Sequence, residues 1–318
     1  MGPATSDRAL LGRRQVRAVL GALWLLDAAL QCRPRFFHAR AWQLGVAQSV
    51  MGEPTWVSRW TSIVVGLIAA HPALLDGVVV AVQVGLGLAL LLDRLPGSAV
   101  VVSVPYAIGV WWVGEGLGVL PTGFAQAFAG APGPALLYPV LGLLAWPSRQ
   151  RRDLPDRPLA PAAVLVWCLL WAGQALFEVP WRYPGAVLLS ANLDENALGA
   201  PRWLLPVVHR VSSAVAAAPV ATLIALGAVG VGVGLGVLLP SRRRAALAVG
   251  LVVSAAFWVV GQCFGGVLTG GATDPGTAPL VALLALGLWP MSPRPTATAA
   301  DPLGTPSSAT AAGPNNGR

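Results

Sequence analysis

Four polar side chains stand inside otherwise apolar stretches of this sequence: Asp27, Glu115, Gln174 and Gln262. A carboxylate in hydrocarbon costs roughly 2.5–3.5 kcal/mol or more, so it is expected to face a partner or a water-filled cavity. Asp27 and Glu115 have the chemistry to bind a cation or a proton, or to hydrogen-bond a ligand. A second reading stands beside that one: helix–helix glue, with the four side chains bonding one another or Arg33 and Arg35. Tryptophans flank the layer. Trp24 and Trp171 each precede a polar position by three residues, Trp111 and Trp112 lie about one turn from Glu115, and Trp258 lies as far from Gln262. Aromatic rings beside carboxylates form a cage for an apolar or cationic ligand, whereas an interfacial aromatic belt with ordinary packing explains them equally well.

Weaker candidates are Gln83 and Asp76, both in the second apolar segment. Thr273-Asp274-Pro275-Gly276 opens the last one, where Asp274 suits an N-cap and Pro275 the first turn. A recessed helix start there would face the same polar layer. No Ser-His-Asp set, no HExxH and no paired mid-span histidines occur, so the sequence assigns no catalytic residue and leaves enzymatic activity open. Cys32, Cys168 and Cys263 are scattered without a CxxC, which predicts neither a disulfide framework nor a metal site. No nucleic-acid-binding motif is present.

The elements that must carry these residues follow from composition. The 318 residues are 55% hydrophobic and only 11% charged, with a mean hydropathy of +0.67. A soluble surface needs roughly 25% charge, so lipid is the expected solvent and the bilayer the first partner. Spans are expected at 15–32, 74–92, 99–119, 133–147, 161–179, 216–239, 245–266 and 277–291. The fourth and eighth are short, so each borrows loop residues or begins below the surface. On this reading all four polar residues lie four or five positions inside the external helix ends, roughly 6–8 Å below the boundary.

All 21 basic residues are arginine. Their dense clusters, at the N-terminus, Arg149/Arg151/Arg152/Arg157 and Arg242-Arg243-Arg244, fall on one side of an eight-span chain. The positive-inside rule makes that side cytoplasmic, so a plasma-membrane protein with both termini inside is expected. The apolar run after Arg17 lacks a cleavage signal and carries Asp27, so it is expected to be a retained first span rather than a signal peptide.

Two external segments, about 33–73 and 180–215, are too apolar for free loops. Trp56, Trp60, Ile63 and Leu67 recur at helical spacing, as do Trp203, Val207, Val211 and Val215. Both fit a helix lying in the membrane interface or a packed external cap.

Shifting the chain by 147 residues aligns 24–123 with 171–270 without a gap. Trp24/Trp171, Trp56/Trp203 and Trp111/Trp258 pair, as do Gly123/Gly270 and Pro72/Pro219. After a four-residue contraction Pro132/Pro275, Gly133/Gly276 and Trp146/Trp289 match. The expected fold is an all-α transmembrane bundle of about eight helices, two parallel four-span repeats with interfacial helices outside. The divisions are a disordered N-terminus 1–14, a first repeat 15–148, a basic linker 149–160, a second repeat 161–291 and a disordered tail 292–318. The repeat pairs Asp27 with Gln174 and Glu115 with Gln262, acidic in one copy and amide in the other.

The stretch from Val82 to Arg94 resembles the second-helix signature of DoxX-like membrane proteins. Gly230 to Arg243 echoes it, and Leu20 to Pro34 is similar to that family's first helix. The resemblance implies a tandem pair of four-span modules and an association with quinone-linked redox membrane complexes. Three functions are therefore carried forward. The first is binding or transport of a small apolar or cationic molecule at an outward-facing site between the repeats, with no cofactor. The second is an accessory redox subunit working with quinone and a membrane-protein partner, and the third is a structural scaffold.

Overall fold

A chain this apolar must satisfy its backbone internally, and helices do so within one segment. The computed structural model describes residues 9–50, 52–147, 156–177 and 183–291, which are all-helical with no strand among them. The first half contains α1 (Arg13–Gln31), α2 (Ala39–Ser49), α3 (Thr55–Ala70), α4 (Pro72–Leu91), α5 (Pro96–Val113) and α6 (Pro134–Leu144). The second contains α7 (Ala162–Trp171), α8 (Tyr183–Ala197), α9 (Leu205–Ala217), α10 (Pro219–Gly236), α11 (Arg243–Ala256) and α12 (Thr277–Leu288). Four helices are long and apolar enough to cross a membrane: α4, α5, α10, and α11 with its π-helical extension to Gly261. Each of the eight apolar segments contains a helix, and α3 and α9 fall on the two amphipathic stretches. Of the N-terminus 1–14 expected to be disordered, residues 9–14 are ordered, with Leu10 bonded to Trp289 O and α1 starting at Arg13. Residues 1–8 and 292–318, and Arg149, Arg151, Arg152 and Arg182, lie outside the described residues.

Small residues set the closest helix contacts. Gly21 of α1 faces Gly87 of α4 so tightly that a Cβ on Gly87 would come within 2.9 Å of the Gly21 carbonyl. At the aligned place in the second half, the Cys168 thiol meets the Gly234 carbonyl at 3.1 Å. Trp167 is fully buried and donates its indole N–H to Val233 O at 3.0 Å. Such close backbone approach is how apolar helices associate where lipid offers no hydrophobic drive.

One end of the bundle gathers residues 9–13, 156–159 and 286–290. The Leu10 amide donates to Trp289 O, and the Asp156 carboxylate accepts the Arg14 amide at 2.8 Å. That carboxylate offsets the positive end of α1. Close by, buried Arg17 donates to Asp93 Oδ1 and to Ala145 O, each at 2.8 Å, tying the ends of α1, α4 and α6.

The expected spans are corrected at the opposite end. Helix α5 stops at Val113 rather than continuing to 119, and α11 leaves α-helical geometry at Ala256. A left-handed turn follows each. Leu117, Gly118 and Val119 have φ of 56, 64 and 61°, and Phe264, Gly265 and Gly266 have 59, 62 and 75°. Left-handed backbone costs a side-chain-bearing residue ~1–2 kcal/mol, so surrounding contacts must hold these turns. Close approach is one such contact: Gly118 packs against the Pro132 carbonyl with no room for a Cβ. The glycines after Glu115 therefore serve a turn and a backbone approach, not the helix contacts their spacing suggests.

Helices α3 and α9 combine features of an interfacial helix and a cap. Val57, Thr61 and Val65 are buried, while Trp56, Trp60, Ile63 and Leu67 are exposed. Val208, Ser212 and Val215 are buried on α9 while Trp203 and Val207 are exposed, so Val215 leaves the expected outer stripe. Helix α8 packs with α9 through Leu189, Leu193, Leu204 and Val208 into a small second core.

Candidate functional site

A cavity of about 1160 Å³ lies among α1 to α6, on the side away from the Arg17–Asp93 pair. Its polar groups come from several elements. Asp27 stands one turn before the end of α1, Gln83 is mid-α4, Tyr106 is mid-α5 beside Pro105, and Tyr138 is one turn into α6. Trp24 covers the wall between them, its ring 4.2 Å from that of Tyr138 and 5.6 Å from that of Tyr106. Val64, Ile68, Val79 and Val113 supply an apolar side, and α2 closes the outer side with Trp42 and Leu44.

Several of these polar atoms are buried without a hydrogen bond of good geometry: Asp27 Oδ1, Gln83 Oε1, Tyr106 Oη, Tyr138 Oη and Glu115 Oε2. Tyr138 nevertheless stands within reach of the Asp27 carboxylate and Tyr106 within reach of the Gln83 amide. Asp27, Tyr138 and Gln83 are only 2, 3 and 7% exposed. An unmet buried polar group costs roughly 1–3 kcal/mol, so several gathered in one cavity call for a common explanation. Glu115 is half-explained by structure. It lies two residues beyond the end of α5, where its Oε1 accepts the Ala135 amide at 3.0 Å and so satisfies the first turn of α6. Its other oxygen lies against Gly133, where no Cβ would fit.

A third carboxylate arrives from the other half of the chain. The loop before α12 brings Thr273 and Asp274 to the cavity. Asp274 Oδ1 accepts the Gly276 amide at 2.8 Å and Oδ2 accepts the Thr273 hydroxyl at 3.2 Å. The N-cap is Gly276, so Asp274 does not cap α12 as expected, and Pro275 precedes the helix instead of opening it. The recessed loop nevertheless faces the polar layer. Arg35 fastens it by donating to Gly271 O at 2.9 Å, and Arg33 reaches Val267 O at 3.4 Å.

The amide copy is built differently. Gln174 lies beyond the end of α7 and Gln262 just beyond the π-helical turn, with Trp171 beside them, around a crevice of about 30 Å³. That volume is about one water. Gln174 donates to Ala131 O at 3.4 Å. Phe257 fills the space, its ring 5.1 Å from Phe128 and 6.4 Å from Trp171. So only Asp27 of the four polar residues stands inside a regular helix, and the four divide between two places. Among the described residues none of the four hydrogen-bonds another, and Arg33 and Arg35 spend their bonds on the Val267 and Gly271 carbonyls.

The tryptophans divide as well. Trp24 lines the cavity and Trp171 the crevice. Trp111 and Trp258 instead brace the loops before α6 and α12, donating to Pro132 O at 2.6 Å and Pro275 O at 2.7 Å. Trp112 makes an edge contact with Trp56 at 5.7 Å. The aromatic wall is therefore Trp24 with Tyr106, Tyr138, Phe36 and Trp42. A signal for it was present, since the chain has only three tyrosines and two line this cavity. Asp76 lies outside the lining and pairs with Gln31, which does line it. Among the described residues no cluster of His, Cys, Asp and Glu could hold a metal ion.

Compared with known protein families, with curated proteins and with solved structures, the chain has no match.

Proposed function

We propose that the protein is a plasma-membrane protein that binds or transports a small apolar or cationic molecule at an outward-facing site within the bilayer. On this reading the chain crosses eight times as two parallel four-span repeats with both termini cytoplasmic. Support for the repeats comes from backbone conformations at aligned positions. The left-handed turns after Glu115 and Gln262 are 147 residues apart, Gly123 and Gly270 have φ of 76 and 82°, and prolines open α4 and α10.

One observation carries the binding reading. Three carboxylates, two tyrosine hydroxyls and two tryptophans face a cavity large enough for a drug-sized molecule, and such sites are mostly apolar with a few convergent polar groups. Asp274 brings the second half to that cavity, which suits a site between repeats. A cation with an apolar body satisfies both the carboxylates and the aromatic wall. Tetraphenylphosphonium is a suitable probe. Detergent-purified protein is expected to bind it, and the Asp27→Asn/Glu115→Gln variant to lose binding while eluting as the same monodisperse particle. Undiminished binding by that variant contradicts the proposal, and loss of the folded particle instead supports the scaffold reading.

A second reading follows from the same hydroxyls. Tyr106 and Tyr138 beside the Trp24 ring could donate to quinone carbonyls, as an accessory subunit of a quinone-linked complex would require. Native mass spectrometry of gently purified protein separates the two readings: a retained quinone or partner subunit supports this one, and its absence from a complex that binds the cation supports the first.

A further inference from the structure

The cavity is lined by acidic groups at one end and by basic groups at the other. Its inner part holds Asp27 and Glu115, each with a buried oxygen. Its outer part passes the end of α1 at Gln31 and reaches Arg35, His38 and Arg40, all exposed. A simple cation answers the inner charges and is repelled by the outer ones. An anion does the reverse. We infer that the ligand is an amphiphilic zwitterion, its ammonium seated among Asp27, Glu115 and Asp274 and its phosphate held by Arg35, His38 and Arg40. This rests on the binding reading above and sharpens its ligand class.

Geometry and chemistry agree with that assignment. Glu115 Oε2 is a buried acceptor without a donor, Asp27 has only the loosely placed Tyr138 hydroxyl, and an ammonium brings three donors. Arginine's planar fork matches the oxygens of a phosphate. One guanidinium, Arg35, is already steered by its bond to Gly271 O and its position 4.7 Å over the Phe36 ring. Between the two ends, Val64, Ile68 and Val79 give an apolar wall on α3 and α4 suited to an acyl chain. The aligned second-half crevice is too small for any of this, so the two-ended arrangement belongs to one half alone. Ammonium phosphates reach such a site from two sources, the headgroups of bilayer lipids or water-soluble phosphoamines.

Binding of four probes to the full chain in maltoside detergent, counted by native mass spectrometry, tests the inference. The probes are lysophosphatidylethanolamine, an alkylammonium of equal chain length, lysophosphatidic acid, and phosphoethanolamine without a chain. The lysophosphatidylethanolamine is expected to bind about tenfold tighter than either single-charge amphiphile, the increment of one charge-assisted contact. His38→Gln/Arg40→Gln, which spares the Arg35 bond to the loop, is expected to erase that preference while alkylammonium binding is retained or tightens, since a repelling charge is gone. Retained alkylammonium binding also shows that the variant is folded. Equal or tighter binding of alkylammonium or lysophosphatidic acid by the wild type overturns the inference, as does a preference that survives in the variant. If no probe binds and tetraphenylphosphonium does, only the zwitterion is wrong; if nothing binds, the binding reading falls with it. A phosphoethanolamine affinity matching that of the lysolipid assigns the site to a soluble ligand, and a loss of affinity without the chain assigns it to a lipid.

Discussion

The same layer of the molecule is hollow in one half and filled in the other. At aligned positions, Val110 lines the first-half cavity where Phe257 plugs the second-half crevice, and Tyr106 and Tyr138 stand where Val253 and Val281 do. Gln83 corresponds to Gly230, and Pro105 in α5 to Val252 in α11. The cap follows the same division. Trp42 of α2 lines the cavity, whereas its counterpart Leu189 of α8 is fully buried in packing. The aligned positions thus border a polar chamber in one half and a packed plug in the other, and a handful of side chains differ between them. The filled half shows what packing alone requires at these positions, and the hollow half departs from it at each polar group.

Perturbations should divide along the same line. The largest stability loss is expected from Arg17→Met, which removes the Arg17 guanidinium from Asp93 and from the Ala145 carbonyl and so frees the end of α6. Its counterpart, Val164, has no such pair to lose. Removing one side of a buried pair costs ~3–5 kcal/mol; the Asp93 side chain is 21% exposed, so a loss at the lower end is expected, and thermal unfolding in detergent will read it. Next, Phe257→Ala is expected to cost about 3 kcal/mol by emptying a packed site, while Val110→Ala, on a wall already hollow, should cost under ~1 kcal/mol. Equal losses at the two positions would break the comparison.

Exchange of the polar pair gives smaller effects of opposite sign. Asp27→Asn removes a buried, poorly partnered carboxylate and is expected to raise the unfolding temperature, by ~1–2 kcal/mol of stability. Gln174→Asp turns a donor towards the Ala131 carbonyl into a second acceptor and should lower stability by ~1–2 kcal/mol. A protein that uses Asp27 as structural glue would show a loss for Asp27→Asn instead. The gain in stability on removing Asp27 is the usual mark of a residue kept for function.

Much of this contrast was visible in sequence, and the rest depended on tertiary contacts. Apolar runs located a helix in each of the eight apolar segments, and helical spacing of apolar residues located α3 and α9, because such segments have few alternatives to helix. Helices α2 and α8 carry no comparable stripe and were not legible. Asp27 and Glu115 stood out because charge is rare in such segments. The end of α5 at Val113 was hidden, since Gly114 to Val119 is as apolar as a helix and bends left-handed against the Pro132 carbonyl. Tyr106 and Tyr138 are easily overlooked because tyrosine is ordinary at a membrane interface; their scarcity in the sequence is a faint signal, and their place on the cavity wall gives it meaning. Asp274 was singled out for a capping role it does not have. Its place beside Asp27 depends on Arg33 and Arg35 holding a loop some 240 residues away in sequence.

The comparison is tested most directly by moving the plug. Val110→Phe places in the first half the ring that Phe257 supplies in the second, without touching a polar group. Tetraphenylphosphonium binding to this variant and to wild-type protein is the decisive measurement. The account predicts that the variant stays folded, unfolds at an equal or higher temperature and loses binding by at least tenfold, about 1.4 kcal/mol. A folded variant that binds the cation as tightly as the wild type would contradict the claim that the first-half cavity is the ligand site.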